Sequence, residues 1–378
     1  IHTNKERRGK SPFDPGKYRI MNQKTALSLG AGLLISGLAL TLAFRGIPAE
    51  DLLRYLKTID YLWLVPAVLI SMLSFVLRVI RWQWLLTSHQ PVSVAQAYHP
   101  LMIGFMTNCI VPGRAGELVR PFALMKKTGY PFSTGLGSVV TERLFDMLCL
   151  LVLFAVLFQF LDMDNAQPVI LGGQQLDGRT LEKMVRGFFY LIMCLIPVVA
   201  ILNLETCRKT ITFYMRRLPG ILFFLSTSAR ESIERGVIQP LVRFMESFAS
   251  GISLLRKPRK TAACFLISLA IWLVQALSYH VMTFACPGLT LSFPQTLTVM
   301  LVICFFIALP SVPGYWGVWE AGGIFGLSLF SVAPEKAAGY TLINHVIQIG
   351  PVILAGAVST MMIGLDIRQP RHLSKNKP

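Results

Sequence analysis

The 378-residue chain is 53% hydrophobic and only 15% charged, with a mean hydropathy of +0.57. Soluble domains carry about a quarter charged residues, so a soluble globular enzyme is excluded. The net charge of +17 does not point to nucleic acid: the basic residues flank apolar runs, as the positive-inside bias of membrane proteins requires.

The N-terminal arm, residues 1–24, is basic and broken by Pro and Gly. The apolar run of about residues 25–44 is too long for a signal peptide and lacks a small-residue cleavage site, so a retained span is expected. The stretch AEDLLRYLKTID then reads as a short interfacial helix. A second span starts at Tyr61 and reaches about Leu86, ending in RVIRWQWLL. Arg78 and Arg81 lie one turn apart and are expected to snorkel toward cytoplasmic headgroups, with Trp82 and Trp84 as interfacial anchors.

Residues 98–111 are apolar, but about 14 residues are too few to span. Pro112-Gly113 ends that helix, and AGELVRPFALMKK starts another, interrupted by Pro121. Further spans are expected at about 132–160 and 187–204, on either side of an acidic loop, 161–186. Residues 206–260 are the most basic stretch. Ile233, Val237, Leu241, Phe244, Phe248, Ile252 and Leu255 recur there at helical spacing, as in a surface amphipathic helix. Spans at about 261–285 and 335–361 enclose a second broken apolar segment, 294–332, with Pro313-Gly314 at its break. A basic tail, 362–378, ends the sequence.

Charge bias chooses a topology. If 98–111 crossed alone, the basic 206–260 segment would fall outside, so 98–126 is predicted to enter and return from the cytoplasm as a re-entrant hairpin. Residues 294–332 are then a matching hairpin from the other side. The fold class expected is an all-α polytopic membrane protein with about six full spans and two re-entrant hairpins, arranged as inverted repeats over 25–160 and 187–361. Both termini and 206–260 are cytoplasmic in this reading, and the membrane is a bacterial or archaeal inner membrane.

Broken backbone at membrane depth must be buried in protein or line a wet cavity. The helix after Pro112-Gly113 presents a positive end, and Arg114 beside it suits an anion such as phosphate. Arg120 is read either as a second phosphate ligand or as the partner of Glu117 in a closed pair that staples the hairpin. Glu142, Arg143 and Asp146 are followed by a wholly apolar stretch, so they must face the bundle interior. In the transport reading Glu142 pairs with Arg114 until a phosphate displaces it. The static alternative is a network that locks helices together. Glu320 can take a proton, bind a cation or cap backbone. Asn344 and Gln348, i,i+4 on the last span, match Glu142 and Asp146 in spacing, and His345 beside them reads as either a proton relay or a satisfied core group.

Enzyme signatures are thin: no H-E-x-x-H, Walker loop, G-x-S-x-G or GxGxxG occurs. The seven cysteines have no metal spacing. Asp162 and Asp164 have metal-ligand chemistry but read as a solvated loop. No cofactor or metal is expected.

The motifs VPGRAGELVRP, TERLFD and PGYWGVWEAG, in that order, resemble the lysylphosphatidylglycerol synthase transmembrane-region family, often called flippase-like. The likeness covers about residues 25–361, the whole membrane part expected from hydropathy. The resemblance implies a lipid flippase, which in the family's synthases is joined to a soluble aminoacyl-transfer domain; the expectation here is the transport half without that domain. It carries a substrate-binding role onto Arg114, Glu117, Arg120, Glu142, Arg143, Asp146 and Glu320. The partner expected is a membrane lipid with a phosphate-bearing headgroup; homo-oligomerisation is left open. The rivals are an intramembrane enzyme acting on a polyprenyl-linked sugar and a structural or coupling subunit.

Overall fold

A computed structural model describes residues 23–86, 90–111, 113–158, 169–171, 174–176, 190, 204–221, 233–308 and 312–364. Its helices in chain order are α1 (Gln23–Phe44), α2 (Ala49–Leu56), α3 (Leu64–Leu86), α4 (Val94–Ile110), α5 (Gly116–Thr128), α6 (Phe132–Phe158), α7 (Glu205–Ile221), α8 (Gln239–Gly251), α9 (Pro258–Phe284), α10 (Phe293–Phe306), α11 (Val318–Ser328) and α12 (Pro334–Ile363). The helical expectation holds, with one addition. Strands β1 (Val169–Leu171) and β2 (Gln174–Leu176) form an antiparallel hairpin in the acidic loop, Ile170 opposite Gln175. The sequence signal is a Gly-Gly pair directly after a β-branched apolar run.

Among the described residues, three helical stretches are long and apolar enough to cross a membrane: Tyr61–Leu86, Pro258–Phe284 and Pro334–Ile363. Leu33–Phe44 and Ala49–Leu56 make a fourth if counted together across their 82° bend. Helix α6 has 27 residues, but any part of it long enough to span contains Glu142, Arg143 and Asp146. Most of the expected span at 187–204, the basic arm and tail, and Asp162 and Asp164 lie outside the described residues. Helix α5 runs unbroken through Pro121, so this proline does not interrupt it as expected. As the sixth residue of α5 it removes only the one bond to the Glu117 carbonyl.

The centre is a seam between α3 and α9. On α3 the inward positions Ala67, Ser71, Ser74, Arg78, Arg81 and Leu85 repeat at spacings of four and three, one stripe of a helix. On α9 Cys264, Ser268, Ile271, Ser278 and Met282 do the same. The two stripes are joined by hydrogen bonds: Ser278 Oγ donates to the Ala67 carbonyl (2.7 Å) and Ser74 Oγ to Gln275 Oε1 (2.8 Å). Small hydroxyl residues let helix backbones approach closely where lipid gives no hydrophobic drive between helices.

Two consecutive helix pairs, α4–α5 and α10–α11, repeat one local construction. Each opens with a capping box, Ser93 with Gln96 and Ser292 with Gln295. Each breaks at two successive residues with positive φ: Gly113 (77°) and Arg114 (53°) in the first, Gly314 (75°) and Tyr315 (62°) in the second. Within the first pair Gly104 and Gly116 face each other so closely that a Cβ on Gly116 would run into the Gly104 carbonyl oxygen.

Gly116→Ala is therefore expected to destabilise the protein by about 1–3 kcal/mol through overpacking. Gly37→Ala, mid-helix in α1 with open space around it, should be neutral or gain up to about 1 kcal/mol of helix propensity. Thermal unfolding of the purified protein in detergent compares them; equal melting of Gly116→Ala and wild type would dismiss close approach as the determinant of the pair.

Candidate functional site

The charged residues of α3, α5 and α6 meet in the interior. Arg120 grips Glu142 with both terminal nitrogens at 2.9 Å each and lies over the Trp82 ring, 3.8 Å from its centroid. Arg143 Nη2 donates to Glu142 Oε1 at 2.7 Å and lies 3.2 Å from Asp146 Oδ2. Arg81 donates from Nη1 to Asp146 Oδ1 and Ser268 Oγ, both at 2.6 Å, and lies 3.3 Å from Glu142. Arg81 and Glu142 are fully buried and Asp146 is nearly so. The heptad-like stripe of α3 points Arg81 inward, and the i,i+4 spacing of Glu142 and Asp146 sets both acids on one face of α6.

This arrangement corrects several expectations. Arg78 and Arg81 do not snorkel, since both are buried. Trp82 is no interfacial anchor; it is fully enclosed and its Nε1 donates to Ser138 Oγ at 3.0 Å. Arg120 pairs with Glu142 rather than Glu117. Glu117 instead faces Arg143 at 3.8 Å. Glu142 does not pair with Arg114. That residue is exposed, and its Nη2 donates to the Ile307 carbonyl at 3.2 Å, at the end of α10. The start of α5 is not an open anion site either: the Gly116 N–H donates to Asn108 Oδ1 at 2.8 Å.

The Arg114–Ile307 bond belongs to a wider contact. An added Cβ at Gly314 would lie 3.5 Å from the Cys109 carbonyl oxygen, so the two helix pairs touch at their breaks. Beside the first break lies a small, half-open cleft lined by Asn108, Gly116, Glu117, Arg120 and Arg143, with Gly104, Phe105 and Val139. Of the cluster's arginines, Arg143 is the most accessible, its side chain 24% exposed. The cleft thus has two arginines and Glu117 in its wall, at the outer edge of a buried ionic network.

The second break carries its own pair. Glu320 Oε2 accepts from its own helix start at Gly317 N (2.7 Å), and its Oε1 lies 2.5 Å from His345 Nδ1. His345 Nε2 lies 2.8 Å from the Gly314 carbonyl, an acceptor only, so Nε2 carries a hydrogen. The Nδ1–Oε1 contact then requires one further proton, on the ring or on the carboxyl. Trp319 stacks on the imidazole, 4.5 Å between centroids. Asn344 joins a different network: its Oδ1 accepts from Gln348 Nε2 (3.3 Å), while Gln348 Oε1 accepts from Ser71 and Gln275. The acid cluster and Asn344 are therefore not gathered in one site.

Sequence reasoning missed Asn108, Ser268 and Gln275. Asn108 has no local signal, because its partner lies eight residues on, across a break. Ser268 and Gln275 were legible only as polar residues at seam spacing.

The family model for the lysylphosphatidylglycerol synthase TM region matches residues 30–356. The chain is 22% identical over 366 residues to a protein of Haloferax volcanii named Glycosyltransferase AglD, covering 90% of this chain and 55% of that one. It thus spans about half the length of that relative. It is 24% identical over 325 residues to a UPF0104 membrane protein of Methanothermobacter thermautotrophicus, covering 83% and 85% of the two chains.

Glu142→Gln strips the shared partner from Arg81, Arg120 and Arg143 and is expected to cost about 3–5 kcal/mol, as breaking one side of a buried ion pair does. Arg114→Gln loses one exposed contact and should stay within about 0.5 kcal/mol of wild type. Thermal melts in detergent would show this ordering, and the reverse order would contradict the network described.

Proposed function

The chain belongs to the lysylphosphatidylglycerol synthase transmembrane-region family, a multi-pass membrane protein, and we propose that it moves a lipid with an anionic or zwitterionic phosphate-bearing headgroup between membrane leaflets. The observation that carries the reading is the cleft beside the first break, where Arg143, the most accessible arginine of the network, stands in the wall with Arg120 and Glu117. A phosphate entering there meets Arg143 first, while its tails stay in lipid. Arginine suits this because its planar fork matches two phosphate oxygens.

In this reading the two helix pairs are re-entrant hairpins in halves of inverted topology, completing about six crossings. Shared capping boxes and shared positive-φ breaks support the repeat. The membrane is a bacterial or archaeal inner membrane, with both termini cytoplasmic. Arg114 links the breaks through the Ile307 carbonyl, so it is the residue through which headgroup occupancy on one pair acts on the other. A second reading comes from the name of the Haloferax relative: an intramembrane enzyme that modifies a polyprenyl-linked sugar.

Purified protein in vesicles containing fluorescent phosphatidylglycerol tests both. Leaflet exchange above protein-free vesicles is expected, and Arg114→Gln should reduce it about tenfold, equivalent to roughly 1.4 kcal/mol. Exchange no faster than in empty vesicles removes the transport reading, and a new lipid product in its place favours the enzyme.

A further inference from the structure

The ionic network leaves one cation over. Arg81, Arg120 and Arg143 face Glu142, Asp146 and the half-buried Glu117, so the ion-paired groups balance. Arg78, one turn before Arg81 on α3, is only 6% exposed. Among the described residues it makes no ion pair and no hydrogen bond, and its Nε, like those of Arg81, Arg120 and Arg143, is a buried donor without an acceptor. Its nearest acids are taken: Asp146 by Arg81 and Arg143, Glu142 by Arg120. A buried cation that shares its nearest acid with other arginines and makes no hydrogen bond is costly, so a ligand that bonds it is favoured.

Its surroundings narrow the ligand. The rings of Phe75, Phe105 and Trp272 have centroids 5.7, 5.6 and 5.4 Å from the guanidinium carbon. Trp272 Nε1 is a second buried donor with no acceptor. Two orphaned donors among aromatic rings call for a group that only accepts hydrogen bonds, carries negative charge and has an apolar part. Phe105 also lines the cleft, so one ring borders both that cleft and Arg78.

We propose that Arg78 and Trp272 form a binding site for the phosphate of a membrane lipid, reached from the cleft once Phe105 turns aside. This deepens the transport reading and rests on it for the lipid's route, though not for its binding. Arg78 gives the phosphate a charged fork, Trp272 gives one N–H, and the three rings face the glycerol or prenyl carbons next to it.

The test uses the full chain in uncharged detergent, melted against increasing dioleoylphosphatidylglycerol, dioleoylglycerol or inorganic phosphate. Wild type should be protected by the phospholipid alone. Arg78→Met should weaken that binding at least about tenfold, the loss of a charge-assisted hydrogen bond. Without lipid it should melt no lower than wild type, because an uncompensated charge has been removed. Trp272→Phe keeps a ring and removes the N–H, and should weaken binding several-fold. Unchanged phospholipid binding in Trp272→Phe and Arg78→Met overturns the site. So does Arg78→Met melting well below wild type without lipid, which marks a structural cation–π contact. Equal protection by inorganic phosphate overturns the lipid assignment. Leaflet exchange separates this from the transport reading. Arg78-dependent binding without exchange keeps the site and removes transport; exchange with Arg78-independent binding does the reverse.

Discussion

Lipid offers no hydrogen-bond partner, so a charge at membrane depth must find its counterpart on another helix. In this chain that constraint falls on Glu142. It accepts from Arg120 of α5 and Arg143 of its own helix, and Arg81 of α3 lies close by. Ser268 of α9 completes the shell around Arg81. Four helices are thereby fixed to one another by groups that have no alternative partner in the bilayer. The same charges keep α6 from being a uniformly apolar span, which is why it needs neighbours to sit in a membrane at all.

Close packing follows from that arrangement. Arg120 reaches Glu142 only because α5 lies tightly on α4, and this depends on Gly104 and Gly116 having no side chains. The Asn108 side chain closes the start of α5. Further along, Gly137 and Gly251 give α6 and α8 a comparable approach, which ties the basic surface segment to the helix bearing the acids. The cleft is what the packing leaves between these elements, and its polarity is inherited from the outer edge of the network.

Much of this could be read from residues. Helices α3, α6, α9 and α12 follow from apolar runs, and both breaks from Pro-Gly pairs. The inward turn of Glu142 and Asp146 follows from the apolar stretch after them. Partner choice was not legible. Arg120 is three residues from Glu117 and twenty-two from Glu142, and only the packing of α5 on α6 decides between them. Arg78 and Arg81 sit near a helix end, where snorkelling is the ordinary outcome. What overrides it is the spacing of Ser71 and Ser74, which continues the same stripe and marks that face as interior. The strands in the acidic loop were missed because a hydropathy reading gives no weight to three-residue runs.

The two helix pairs share more than their breaks. The second helix of each pair is clamped to the long helix after it by one buried pair, Arg120 to Glu142 in the first and Glu320 to His345 in the second. The first clamp is a two-bond arginine–carboxylate fork and sits within a network of further arginines. The second is a single pair needing one shared proton, held between the Gly314 carbonyl and the indole of Trp319. The two clamps therefore differ in kind: the first is a two-bond fork inside an ionic network, the second a single imidazole–carboxyl contact outside it. The breaks meet through Arg114 and the Ile307 carbonyl, so the two clamped pairs stand against each other at their turns.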